Sequence, residues 1–400
     1  MRVVQKLLLG LAAPVLALLI AGALASILLA ATGADVGAFW ETLLKWPEPR
    51  NRVNIINSAA ILYLSGVAAA VGFRMNLFNI GVEGQYRIGA FVAAVVAGQA
   101  FLPGALNTVF AILMAMVAGA LWAGIAAVLR VTRGVSEVIA TIMLNSIAGL
   151  LVGYLIKKVG VRTGNSISTK EIPESSWVSG IPAVPDAGGA EIYGLALLAV
   201  VVGIAYYVVI TYTRFGFDVR ATGASESAAV ASGVNVKKMI IISMLISGAI
   251  AGLIGMPVLF GQAHNYGSSF QVGIGFSGIA VALLGRNNPA GIAAGALIFA
   301  FLSEQGNRLN ILVGISPEIV SVTQGIIVLA VVIAYTLVRR YRRRLEQAAV
   351  ASQLAPPTAG TDGKDGGPGQ DPGDGPGNGP DAGPGDGPDL AKSPREEPVK

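Results

Sequence analysis

Long apolar runs separated by short polar connections dominate the chain. Ten runs stand out: Leu7–Ala31, Ile55–Phe73, Ile88–Leu102, Leu106–Leu129, Val135–Ile156, Ile192–Ile210, Met239–Phe260, Ile274–Leu284, Ala290–Leu302 and Ile319–Val338. A helix rising about 1.5 Å per residue needs roughly 20 apolar residues to cross a hydrocarbon core of about 30 Å. The runs beginning at Ile88, Ile274 and Ala290 fall short of that, so flanking residues complete them or they are broken helices. Eight to ten spans follow. The expected fold is all-α, a polytopic transmembrane helix bundle of about ten segments with short or broken helices. Leu7–Ala31 holds 25 residues without a charge, longer than the apolar core of a secretory signal, and reads as an uncleaved first helix. Asn288-Pro289 and Ser316-Pro317-Glu318 each put a capping side chain before a proline in the first helical turn.

Composition sharpens this picture. The 400 residues are 54% hydrophobic and 13% charged, against about 25% charged in soluble domains, which excludes a water-soluble globular protein. From Ala355 to Lys400 the character changes: 12 Gly and 10 Pro fall within 46 residues, too few large apolar side chains to offset the entropy of ordering. The expected organisation is a membrane domain over 1–344 and a disordered Gly/Pro/Asp-rich cytoplasmic tail over 345–400. No cysteine is present, which removes disulfides, thiolate chemistry and Cys-based zinc sites. The net charge of +5 is not gathered into a patch with interleaved aromatics, so no nucleic-acid partner is expected. The basic residues report orientation instead. With ten spans and an inner N-terminus, 16 Lys and Arg lie on the inner side, 8 on the outer and 4 in the tail. That bias puts both termini in the cytoplasm, with the cluster Arg339–Arg344 as the strongest anchor. The connection 157–191 then faces outward and 211–238 inward.

The motifs do not favour catalysis. His264 is the only histidine, expected at an outer helix end in a satisfied polar role. Glu304 has no carboxylate partner within helical reach, there is no Cys/His metal cluster, and no G-x-x-x-x-G-K-[ST] phosphate loop occurs. If ATP drives this protein, another chain binds it. No cofactor is expected. Small residues recur four apart at Ala115/Gly119, Ala120/Gly124, Ser247/Ala251/Gly255 and Gly248/Gly252, a spacing that lets helices approach closely in lipid.

Two polar stretches carry the functional signal. The first, Asn76-Leu-Phe-Asn79-Ile-Gly81-Val-Glu83-Gly84-Gln85-Tyr-Arg87, joins two apolar runs, and polar groups near membrane depth belong in protein or beside a watery cavity. Asn76, Asn79, Glu83, Gln85 and Asn145 are the candidate substrate-pathway residues, because amides donate and accept hydrogen bonds to neutral hydroxyls and base edges. Glu83 has a second reading, an i,i+4 pair with Arg87 that serves structure only. A second Ile-Gly-x-x-Gly occurs at Ile274–Gly278, five spans after the first, as in an inverted repeat built from interrupted helices. The second stretch runs from Phe215 to Gly233. There Ser225 can cap a short helix ending at Gly233, flanked by Arg220 and by Lys237-Lys238, a compact knob suited to docking on a soluble partner.

At these residues the chain resembles the permease subunits of bacterial ABC importers, in the ribose-type and branched-chain amino-acid branch. Ala228-Ala229-x-x-x-Gly233 is similar to the tail of that superfamily's coupling motif, with Glu226-Ser-Ala in place of the usual Glu-Ala-Ala. The stretch 76–85, Glu137-Val-Ile-Ala-Thr141-Ile-Met-Leu-Asn145 and Asp218-Val-Arg220-Ala-x-Gly223 together resemble nucleoside-type permeases that work with a BmpA-like binding lipoprotein. The Ile-Asp-Leu-Ser-Val-Gly pattern of ribose-type sugar permeases is absent. The likeness runs from about residue 50 to 340.

The resemblance implies a type II-like importer permease in the bacterial cytoplasmic membrane. It also implies an ABC ATPase subunit gripping Asp218, Arg220, Gly223, Glu226, Ala228, Ala229 and Gly233, a second permease subunit, an extracellular substrate-binding lipoprotein and membrane lipid around the bundle. Nucleosides are the expected cargo. The alternatives are a simple-sugar permease, an ion-coupled secondary transporter and a scaffold or receptor that transports nothing.

Overall fold

The computed structural model describes residues 19–316 apart from Asn165, Ser268 and Ser269, together with short pieces between 318 and 347. The first twelve residues of the first expected span, Pro317, seven of the 20 residues of Ile319–Val338, four of the six of Arg339–Arg344 and the Gly/Pro tail lie outside the described residues.

Helices make up most of the described chain. In order they are α1 (Leu19–Ala31), α2 (Val36–Leu44), α3 (Pro49–Phe73), α4 (Val82–Gln99), α5 (Gly104–Arg133), α6 (Glu137–Val159), α7 (Leu197–Tyr212), α8 (Arg214–Ala224), α9 (Glu226–Ala231), α10 (Val236–Leu253), α11 (Met256–Val258), α12 (Ile274–Leu284) and α13 (Pro289–Val313). A π-helical turn at Leu259–Ala263 prolongs α10 and α11, so that Val236–Ala263 runs as one apolar span. Among the described residues, five helical segments are long and apolar enough to cross a bilayer: Pro49–Phe73, Gly104–Arg133, Glu137–Val159, Gly194–Tyr212 and Val236–Ala263. The chain is a multi-pass membrane protein.

Two of the three short runs are completed by flanking residues. α4 begins at Val82, so its first two turns consist of the polar Val82–Arg87 stretch. α13 extends the Ala290 run to Val313 and starts as expected, with Pro289 in its first turn and the Asn288 Oδ1 accepting from the N–H groups of Ala290 and Gly291. α12 stays at 11 residues, about 16 Å, and cannot cross alone.

The small-residue spacing joins α5 to α10, an extensive helix pair of the bundle. A Cβ on Gly119 would strike the Gly248 carbonyl oxygen, one on Gly248 would strike that of Gly119, and one on Gly252 would strike that of Ala115. The backbones touch, which in lipid supplies the packing that a hydrophobic driving force cannot. α3 and α4 are buried beside this pair, in a core that includes Leu64, Val67, Tyr86, Met244, Met256 and Phe260. A satellite core of Leu29, Phe39, Leu43, Leu302, Leu309 and Ile315 holds α1 and α2 against α13. Here the Gln305 amide donates to the carbonyls of Thr42, Leu43 and Lys45, each at 3.0 Å, and satisfies the end of α2.

The connection between α6 and α7 carries a two-stranded antiparallel hairpin, β1 (Val161–Thr163) with β2 (Ser166–Ser168), in register Val161 to Ser168. It closes over the irregular segment after the π turn: Thr169 N–H donates to the Tyr266 carbonyl, Tyr266 N–H to Thr169 Oγ1, Ile172 N–H to the His264 carbonyl and Val178 N–H to the Phe260 carbonyl. This end of the bundle is called the hairpin end below, and the end bearing α8 and α9 the knob end.

Candidate functional site

Four of the five candidate pathway residues meet in one buried cluster. After α3 the chain turns at Arg74–Asn76, with Asn76 exposed at φ 58°, and then runs back into the protein. Asn79 is fully buried. Its Nδ2 donates to Gln85 Oε1 at 3.0 Å and to Ser247 Oγ at 2.8 Å, while its Oδ1 accepts from Gly81 N–H and from Gln85 Nε2. The Ser247 hydroxyl in turn donates to the Ala68 carbonyl. Asn145 reaches across from α6, its Oδ1 accepting from Gly84 N–H and its Nδ2 donating to the Ile80 carbonyl, both at 2.9 Å. The amides thus fasten an irregular turn to three helices. They satisfy backbone groups that would otherwise be stranded in an apolar interior.

Glu83 sits where two helices start. It is 3% exposed, and its carboxylate accepts from Gly273 N–H at 2.9 Å and Gly275 N–H at 2.8 Å, at the N-terminus of α12. Arg87 Nε lies 3.5 Å away on the same face of α4. Both readings of Glu83 therefore meet in one side chain: it pairs with Arg87 and also caps a second helix. The first turn of α4 abuts the first turn of α12 so closely that a Cβ on Gly275 would strike the Glu83 backbone nitrogen. The two Ile-Gly-x-x-Gly motifs meet here. Two helix N-termini, each carrying partial positive charge, face a single carboxylate. Residues 264–267 and 270–273, none of them helical, lead from the hairpin end to this point. They are held by the Tyr86 hydroxyl donating to the Gln271 carbonyl and by the stacked rings of Tyr266 and Phe270. Irregular backbone at this depth is tolerated because protein surrounds it.

His264 caps the π turn at φ 53° and stacks on Trp177 with ring centroids 3.7 Å apart. Burial lowers its pKa from the ordinary value, against a smaller upward pull from Glu171. Its place at a helix end matches expectation. The stack on Trp177 joins residues 87 positions apart, and no local pattern announces it. Glu304, which has no carboxylate partner in reach, accepts instead from Asn54 Nδ2 at 2.9 Å.

At the knob end, the expected short helix forms as α9, with Ser225 Oγ accepting from Ala228 N–H and Gly233 at φ 83°. What sequence reasoning missed is α8, which carries Asp218, Arg220 and Gly223. It is capped by the Thr213 hydroxyl accepting from Gly216 N–H, and its signal was this Thr-x-x-Gly start. Phe217 and Val230 are exposed. Asp218, Ala228, Ala229 and Gly233 line a groove of about 750 Å³ between α8, α9 and the start of α10. Arg220 is half-buried, while Glu226 is exposed on the first turn of α9. On its inner side α8 presses on the turn after α3. A Cβ on Gly223 would strike the Arg74 carbonyl oxygen, and the Arg74 guanidinium donates to the Asn287 carbonyl at 2.7 Å, just after α12. The knob therefore rests on the turn that leads into the Asn79–Glu83 cluster.

No solved structure matches the chain. Among curated proteins it is 36% identical to the guanosine ABC transporter permease NupP of Bacillus subtilis, over 68% of this chain and 78% of the relative. It is 32% identical to the nucleoside ABC transporter permease NupB of Lactococcus lactis subsp. cremoris, over 69% and 77%. It is also 32% identical to the glucose ABC transporter permease TsgB13 of Haloferax volcanii, over 82% and 88%. Residues 51–332 match the family model described as the permease component of branched-chain amino acid transport systems. That match covers both polar stretches and the helices that hold them. The chain belongs to this family of ABC transporter permeases, as a transport subunit rather than an enzyme.

Proposed function

We propose that this chain is one half of the pore of an ATP-driven importer for nucleosides in a bacterial cytoplasmic membrane, with both termini inside. The observation that carries the proposal is the contact of α8 with the Arg74–Met75 turn. A soluble ATPase gripping the groove beside Asp218, Ala228 and Ala229 would push, through Gly223, on backbone continuous with Asn79 and Glu83. Closure of the ATPase on nucleotide favours one of two arrangements of the bundle, and hydrolysis releases it; transport follows from that differential binding. In this reading Asn79, Glu83, Gln85 and Asn145 form the part of the pathway wall that shifts, and Asn76 is its exposed elbow. An extracellular lipoprotein would deliver cargo at the hairpin end, where the longest connection between the described α-helices is bonded to residues 260–266. The Gly/Pro tail is proposed to be a solvated extension of the membrane domain.

Nucleosides are favoured by the guanosine and nucleoside permeases among the relatives. A simple-sugar cargo is the second reading, favoured by the glucose permease. Uptake into proteoliposomes tests both. The expected result is accumulation of labelled guanosine when the cognate ATPase and binding protein are supplied, resistance to uncouplers, and weak competition by glucose. Accumulation by this chain alone, abolished by uncouplers, would establish an ion-coupled carrier instead.

A further inference from the structure

The outward faces of the bundle differ in chemistry. Exposed positions on α5 are Leu106, Val109, Leu113, Val117, Leu121 and Ile125, and on α7 they include Leu197, Val200, Val201 and Ile204. These faces suit lipid. Along α3, α12 and α13 the pattern breaks. Ser58, Ser277, Ser303, Gln271 and Gln324 surround a cleft of about 90 Å³ backed by Phe299 and the first turn of α12. Ser58 is nine residues into α3 and Ser303 ten from the end of α13. At ~1.5 Å per residue both lie roughly 14 Å from the hairpin end, near the middle of a ~30 Å core.

The fully buried serines of the bundle spend their hydroxyls on the protein, whereas Ser146, exposed on α6, has no such bond among the described residues. Ser65 donates to the Ile274 carbonyl, Ser243 to the Met75 sulfur and Ser247 to the Ala68 carbonyl. The hydroxyls of Ser58, Ser277 and Ser303 make no hydrogen bond among the described residues. Three such groups at membrane depth are costly against lipid, which fits a face that meets water or cargo. The lining residues are uncharged, and Glu304, beside Ser303, is the nearest carboxylate along the chain. Hydroxyls and amides match a neutral polyhydroxylated ring.

We propose that this cleft is the subsite where the permease holds the ring hydroxyls of its cargo in transit. Its volume accepts the hydroxyl edge of a pentose or hexose rather than a whole nucleoside. The proposal rests on the importer reading above and assigns its cargo contacts to Ser58, Ser277, Ser303 and Gln324, outside the Asn79–Glu83 cluster.

The test compares Ser303→Val with Ser303→Thr, and Ser277→Val with Ser277→Thr, in the full importer in proteoliposomes. Thr and Val share a shape and differ by one hydroxyl. The Val variants should move about fivefold less guanosine per ATP hydrolysed, as expected for one lost neutral hydrogen bond, and the Thr variants should restore it. Parallel assays with glucose identify which ring the cleft serves. Because the chain has no cysteine, Ser303→Cys gives a unique thiol, whose reaction with a water-soluble maleimide should slow when guanosine or glucose is present. Equal transport ratios for Val and Thr, or a labelling rate that neither guanosine nor glucose changes, would overturn the subsite. Failure of the wild-type importer to move either cargo would instead refute the importer reading.

Discussion

A carboxylate that is 3% exposed must earn its place, and Glu83 does so through two backbone N–H groups and one guanidinium. Replacing it with Gln keeps the size but turns one acceptor into a donor facing an N–H. Glu83→Gln should cost about 2 kcal/mol, and Glu83→Ala about 3–5 kcal/mol because the α12 N-terminus and Arg87 lose their partner. Thermal unfolding in detergent should rank wild type above Gln above Ala, and a Gln variant as stable as wild type would remove the charge from the account. Gly223 sets a different balance. Ala there gains about 1 kcal/mol in helix propensity, yet its methyl strikes the Arg74 carbonyl, and overpacking typically costs about 1–3 kcal/mol. The contact outweighs the propensity. Gly223→Ala should reach the membrane in normal amounts and lose most substrate-stimulated ATP hydrolysis in the assembled importer; full stimulation would break the proposed link between knob and turn.

The pairing of α5 with α10 was legible in the Ala115/Gly119 and Gly248/Gly252 spacing, since small residues four apart admit one kind of contact. Gly119→Ile should therefore abolish monodisperse protein. Gly153→Ile on α6, where a Cβ meets open space, should be tolerated, as size-exclusion chromatography can check. The short runs were legible as incomplete, though not how each is completed, because hydropathy counts side chains and cannot see capping by a distant residue. α4 absorbs Glu83 and Gln85 into its first turns only because the α12 backbone, about 190 residues away, satisfies Glu83, and Asn79, itself tied to Ser247, satisfies Gln85. Polarity between apolar runs singled out Asn79, Glu83 and Gln85, which the fold brings together, while Asn145 stands inside an apolar run. The internal bonding of the cluster was invisible without the third dimension. The serine cleft escaped notice because isolated serines in helices are common, and only convergence of three elements distinguishes these.

Across the whole molecule, a chain of contacts links the two ends. The hairpin-end connection is bonded to residues 260–266, these descend to α12, α12 is capped by Glu83, and the turn before Glu83 supports the knob. Opposite ends should be reachable from opposite sides: Ser232→Cys on the knob and Ser175→Cys in the hairpin-end connection should react with an impermeant maleimide from the cytoplasmic and outer faces respectively. Labelling of both from one side would reverse or refute the orientation. One further consequence follows from the brevity of α12. At 11 residues it is too short for the insertion machinery to hand to the bilayer as an independent helix. It has to wait in protein surroundings, entering as a hairpin with α13 onto an already seated α4. Insertion of this half of the molecule is thereby made conditional on the first half.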